Sequence, residues 1–398
     1  MPRARRGRDR LVAACGAYGL TGVITYEIQP RGDICMLRVT HGGLTDDMSA
    51  EMWGGWPQIP CGGSGLFAVR SLATTATWEL VVGERRPASR LNEVWAVWLL
   101  FGTVAVFVFI TYWRLPPAVL WKTTNTGFVG GAGRAFVFLS FSAALAAVAT
   151  LPIVTDRLAD RRAAVLAAVA FVLCATVAYP GVQTESHLDP KWSNTFAVVG
   201  VAIAFALGVW AARRGRPEPP HTTRAGDGAR LIVGVLALFF AAPYIAAELG
   251  FFLDGVPVLG SLFITGAIRP EPGAGYSHAA VHHGHHHGMD GFLLVITALL
   301  LSRLVGGIRQ PLLRALTAFY LALMLVYGAT NQVQDLWTEQ IVKRGWTNWE
   351  IPNVLHPTAS AAWAAMVGVA VLFYFALFRP PTGREEEVAL TAPRHTPA

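Results

Sequence analysis

Six of the chain's 11 histidines fall within Ser277–Asp290, SHAAVHHGHHHGMD, as His278, His282, His283, His285, His286 and His287. Neutral imidazole is a good ligand for zinc, copper, nickel and iron. On a helix, His278, His282 and His286 would share one face at i, i+4 and i+8, and two such neighbours can hold one metal. Asp290, four residues beyond His286, would then orient an imidazole or serve as a ligand itself. Gly284 and Gly288 weaken a continuous helix and leave a looped arrangement equally open. The expected cofactor is a transition metal of the copper or zinc class. The competing reading is a hydrophilic, pH-sensitive loop. No HExxH pattern supplies an acid or base beside a metal, so the tract does not signal metal catalysis.

Glu248 is the second chemical candidate, because it sits inside an apolar run. A carboxylate in lipid costs several kcal/mol unless it is paired, protonated or hydrated. Asp254, His187 (with Glu185 and Asp189) and His356 belong to the same membrane face by topology, as do Asn331, Gln332, Gln334, Asp335 and Glu339. The chain contains no phosphate-binding loop, Rossmann glycine pattern, haem-attachment motif or nucleophile elbow. No catalytic set of acid, base and nucleophile stands out, which leans against an enzyme.

About eight apolar runs must position these groups: roughly 94–113, 135–154, 163–180, 194–212, 231–252, 291–308, 315–330 and 358–378. Each approaches the ~20 residues that cross a bilayer as a helix. Lipid offers the backbone no hydrogen bonds, so such runs must be helical. Hydrophobic residues make up 53% and charged residues only 14%, which favours an all-α polytopic membrane protein with the bilayer as partner. The 13-residue stretch 256–268 is too short to span and reads as re-entrant or interfacial. Segment 331–357, rich in tryptophan and charge, reads as an amphipathic strip at the headgroups.

The net charge of +7 does not point to nucleic acid, because the basic residues sit at the ends of the apolar runs. Alternate loops carry most of the arginines, which places both termini in the cytoplasm and the histidines outside. Only Lys122, Lys191 and Lys343 among 32 basic residues are lysine, as expected of a GC-rich bacterial genome and hence a bacterial inner membrane. The expected organisation is an N-terminal cytoplasmic region (1–92), four spans (93–212), a Pro- and Arg-rich linker (213–230) and four more spans (231–378). The second set includes an outer loop at 253–290, and a tail (379–398) follows. Cys15, Cys35, Cys61 and Cys174 show neither metal nor disulfide spacing. No secretory signal is visible.

The N-terminal region alternates apolar and polar residues over Val23–Leu44 around Pro30-Arg31-Gly32-Asp33, the pattern of a β-hairpin. A helix is expected to open at Ser49–Gln58. The strand TYEI, a turn, the strand LRVTHGG and the helix start GGWPQI resemble, in that order, the end of a domain of the heat-shock-protein ATPase activator-like branch of the SRPBCC, or START-like, superfamily. The resemblance covers about residues 21–60 and implies the closing α+β part of a helix-grip fold. Pro60, Gly62, Gly63 and Gly65 interrupt the family's final helix, and its earlier elements are missing. A ligand cavity of the family's kind is therefore not expected here.

Three functions follow as expectations. The first is metal binding through the histidine tract. The second is a small-solute or ion transporter or channel that uses Glu248. The third is a regulator or scaffold built on the START-like piece. Oligomeric state is not legible in the sequence.

Overall fold

The computed structural model describes residues 91–179, 188–214, 226–284 and 287–375, together with the backbone of five N-terminal strands. The chain divides into two compact units, Met1–Ser89 and Arg90–Ala398.

In the first unit, β1 (Arg10–Cys15), β2 (Gly22–Arg31), β3 (Ile34–Gly42), β4 (Leu66–Leu72) and β5 (Thr75–Val82) form one antiparallel sheet in the order β1-β2-β3-β5-β4. The expected hairpin is present: β2 pairs with β3 from Val23↔Gly42 to Arg31↔Ile34. Strand β5, TATWELVV, is rich in residues that suit a pleated surface, and it joins β3 to β4. The expected helix at Ser49–Gln58 lies outside the described residues.

The second unit is helical. Its elements are α1 (Asn92–Arg114), α2 (Gly127–Ser140), α3 (Ser142–Leu158), α4 (Arg161–Ala175), α5 (Asn194–Arg214), α6 (Asp227–Glu248), α7 (His287–Ser302), α8 (Pro311–Trp337) and α9 (Ala361–Phe373). Each of the eight apolar runs contains a helix. Among the described residues, five helices are long and apolar enough to cross a membrane: α1, α4 with its following turn, α5, α6 and α8 with its following turn. Helices α2 and α3, bent by 41° at their junction, make a sixth if they act as one span. Helix α7 has 16 residues and α9 has 13, or about 24 and 20 Å at 1.5 Å per residue. The protein is polytopic, and its outward-facing side chains are apolar, as lipid requires: Leu99, Val165, Phe171, Leu231, Leu236 and Leu372 are all exposed.

Helix starts follow local chemistry. The Asp160 carboxylate accepts the Arg162 and Ala163 amides at α4, and Ser360 Oγ accepts the Trp363 amide at α9. Gln310 caps α8 ahead of Pro311, which suits the first helical position. Small residues set the closest helix contacts. A Cβ on Gly131 of α2 would lie 2.5 Å from the Phe109 carbonyl oxygen of α1, and Gly291 and Gly328 bring α7 against α8 in the same way.

Two ends of the bundle are defined by their contacts. At one, Arg303 pairs with Glu93 and Asp227, joining the end of α7 to the starts of α1 and α6, while Arg309, just before α8, pairs with Asp156 near the end of α3. At the other, the end of α1, the first turns of α2 and α7 and the ends of α6 and α8 converge with the histidine tract. Two expectations about this second end change. Helix α8 does not stop near Thr330 but runs on through Trp337 and a π-helical turn, Thr338–Val342. The polar residues of its last turns point into the protein, so the segment is not simply an interfacial strip: Asn331, Gln332, Glu339 and Gln340 are buried. Residues 256–268 do not span; they form a loop with one helical turn, Leu259–Leu262, and lead into β6 (Ile268–Pro270).

Candidate functional site

The tract does not extend α7 outward. Ser277–Ala279 is a short strand, β7, paired with β6; the chain then turns, and α7 begins only at His287. The helical stacking expected to begin at His278 does not form, because His278 lies in β7 and His282 in the loop beyond it. Gly284 makes the turn possible with φ +89°, a left-handed conformation that favours glycine. His285 and His286, like His187, lie outside the described residues.

The loop carbonyl of Gly284 organises the first part of the site. It accepts the Tyr112 hydroxyl at 2.8 Å, Arg134 Nη2 at 3.0 Å and Arg134 Nε at 3.3 Å. Arg134 is only 7% exposed. Its sequence position suggested a loop charge before a span starting at 135, but α2 begins at Gly127 and carries Arg134 inside the bundle. The glycines of α2, which admit the α1 backbone, are the signal that could have revealed this.

Glu248 is the last residue of α6 and 4% exposed. The Thr111 hydroxyl donates to its backbone carbonyl at 2.6 Å. Its carboxyl Oε2 is buried without a hydrogen-bond partner. Burial and the negative end of the α6 dipole both disfavour its charge, and the nearby Arg134 favours it. Asp290, in the first turn of α7, accepts the Ser142 hydroxyl at 2.5 Å and also lies within electrostatic reach of Arg134 and Glu248. Two carboxyls therefore face one guanidinium. A single proton or monovalent cation balances the set.

The second part lies along α8. Asp335 Oδ2 accepts the Gly288 amide at 2.7 Å and so caps α7, while Oδ1 is 4.0 Å from His287 Nδ1. One turn on, Glu339 Oε1 is 3.6 Å from His282 Nδ1. The His282 ring lies 3.9 Å from that of Trp121 and 5.0 Å from that of His278.

His278 Nε2 meets Glu271 Oε2 at 2.6 Å, and its Nδ1 meets the Ala279 carbonyl at 2.5 Å. Both nitrogens are engaged by protein oxygens, which leaves neither for a metal. Lys343 Nζ donates to the Ala280 carbonyl at 3.1 Å and pairs with Glu271 at 3.0 Å. Burial opposes the Glu271 charge, but His278 and Lys343 outweigh it and hold this loop carboxyl below its usual range.

The remaining candidates do not join. The His283 ring stacks on Phe252 at 4.4 Å, and burial pushes its pKa down. Its backbone instead ties the α1–α2 loop to the tract, accepting the Trp121 amide at 3.0 Å. Asp254 accepts the Thr265 hydroxyl and the Gly266 amide; these bonds overcome its burial and keep its carboxyl low, so it fixes its own loop. His356 borders a separate apolar cavity of about 110 Å³ with Tyr320, Tyr327 and Trp363.

Among the described residues, no group of three His, Cys, Asp or Glu side chains is arranged to hold a metal ion. Compared with protein-family models, curated proteins and solved structures, the chain matches none.

Proposed function

We propose that this protein is a membrane transporter of a small solute or ion, in which Glu248 binds the coupling ion. The observation that carries this reading is the buried Glu248 carboxyl, whose Oε2 has no hydrogen-bond partner although Arg134 is close by, committed to Gly284. A group buried only for packing would be paired or replaced by an apolar residue, since an unsatisfied carboxyl in lipid is costly. Excess acid over fixed base leaves room for one positive charge. In this reading all eight apolar runs cross a bacterial inner membrane, with α2 and α3 acting as one span. The arginine-rich end faces the cytoplasm with both termini, and the histidine end faces out.

The test uses the purified full chain in proteoliposomes on a solid-supported membrane, with proton, sodium and potassium gradients applied one at a time. One gradient is expected to drive a current that Glu248→Gln lowers at least tenfold. Failure of all three gradients, or an undiminished current in Glu248→Gln, would refute the assignment.

A further inference from the structure

Beyond Glu248, further titratable groups lead toward the protein surface. Glu248 and Asp290 interact electrostatically, as do Asp290 and His287. His287 and Asp335 are 4.0 Å apart, and Asp335 acts on Glu339 one helical turn further along α8. Glu339 is 3.6 Å from His282, whose ring neighbours His278, and His278 meets Glu271 at 2.6 Å. Glu271 lies in the β6–β7 loop with its side chain 24% exposed. These groups come from the end of α6, the first turn of α7, α8 and its π-helical turn, the β6–β7 loop, and β7 with the loop that follows it. The fixed cations facing them are Arg134 at the inner end and Lys343 at the outer.

We infer that this succession of carboxyl and imidazole groups is a proton relay that begins at Glu271 and delivers to Glu248, so that the coupling ion is a proton. The inference rests on the transport function proposed for Glu248. Carboxyl and imidazole groups can each accept and release a proton, and the route is built from these two side-chain types alone. Each hop breaks one O–H or N–H bond and forms another on the neighbour, with no change of oxidation state. The 3.6 Å between His282 and Glu339 and the 4.0 Å between His287 and Asp335 exceed a direct hydrogen bond and are closed by a ring rotation or one bridging water.

A metal cation would not need such a route: it is held by several ligands gathered at one point rather than by a succession of titratable groups. On the far side of Glu248 the helices close over apolar side chains, among them Phe101, Val104 and Leu301, before the ion pairs of Arg303. The relay therefore reaches Glu248 from the histidine end alone.

The test is proton uptake into proteoliposomes loaded with a pH-sensitive dye, after an acid jump on the histidine side at constant sodium and potassium. Glu339→Gln and His287→Gln are expected to slow uptake at least tenfold, with Glu339→Asp restoring most of it. Glu271→Gln, at the more exposed loop end where folding is least at risk, is expected to slow it about threefold. Uptake within twofold of wild type in Glu339→Gln and His287→Gln, while Glu248→Gln abolishes it, overturns the relay and leaves the role of Glu248 intact. Current that follows sodium at fixed pH overturns the proton as coupling ion. Undiminished flux in Glu248→Gln removes the transport reading itself.

Discussion

The Tyr112 hydroxyl donates to the Gly284 carbonyl at 2.8 Å, across 172 positions of sequence, and this bond seats the histidine loop on the end of α1. The glycine is required twice over. Its φ is +89°, and a Cβ there would lie 1.9 Å from the Tyr112 oxygen. Gly273 is the control, with φ +70° and nothing within 4 Å of its Cβ position. Gly273→Ala is expected to cost about 1 kcal/mol from backbone strain. Gly284→Ala should cost about 3 kcal/mol, because overpacking adds to the strain. Unfolding midpoints in detergent check the difference; equal midpoints would mean that the loop is not seated on Tyr112.

Arg134 is the counter-charge shared by Glu248 and Asp290, so its removal should be felt through them. Arg134→Gln alone leaves two buried carboxyls facing no guanidinium. Adding Glu248→Gln removes one of those charges, and the double variant should be less destabilised than the sum of the singles by about 1–3 kcal/mol. A cycle that closes with additive energies would show that the two groups do not interact.

The architecture was far more legible in the sequence than the site. Hydrocarbon forces backbone bonds into each segment, so apolar length alone marks the helices, and all eight runs contain one. The β2–β3 hairpin was visible as alternation around a tight turn. What stayed hidden were charges that look like loop residues. Arg134 and Asp335 each flank an apolar run, yet both lie in helices that extend past it, because other polar groups satisfy them: Gly284 for Arg134 and the Gly288 amide for Asp335. Window averages of hydropathy cannot distinguish a charge facing headgroups from one facing another helix. The histidines were conspicuous, but Gly284 breaks the helical spacing that would have gathered them.

Stability should fall in two stages as the protein is acidified. Burial against Phe252 holds His283 below its ordinary value, so below about pH 6.5 the unfolded chain binds a proton that the folded chain resists. Its contribution is fully present above that pH and is lost as pH falls through the folded value. Glu271 is also depressed, opposed by burial but held by His278 and Lys343, so its contribution disappears only below about pH 4.5. Unfolding midpoints measured from about pH 8 to 2 should show both stages, and His283→Gln should flatten the first. An unchanged slope between pH 7 and 5.5 in that variant would contradict the assignment.

Metal removal should leave the fold intact. The His278 ring is held between Glu271 and the Ala279 carbonyl, His283 stacks on Phe252, and His287 faces the Asp335 carboxylate that caps α7. Dialysis against a strong chelator is expected to change the unfolding midpoint by less than about 1 °C, since these rings are already held by protein groups. Stoichiometric zinc or copper in the purified protein, with a midpoint that drops on its removal, would restore the metal-binding reading through His285 and His286.

The opposite end of the bundle depends on Arg303. Its Nη1 lies 2.9 Å from Glu93 Oε1 and its Nε 3.2 Å from Asp227 Oδ1, so one guanidinium joins the starts of α1 and α6 just beyond α7. Glu93 is only 3% exposed. Removing the cation from a buried pair costs more than removing both charges, because the remaining carboxylate stays desolvated. Arg303 is itself partly hydrated, so the expected loss for Arg303→Gln is about 2 kcal/mol, with Glu93→Gln/Arg303→Gln recovering at least half of it. If the apolar layer and these ion pairs close the path beyond Glu248, Arg303→Gln should also increase uncoupled proton leak through proteoliposomes. A variant that loses stability but keeps a tight membrane would assign the pair to folding alone.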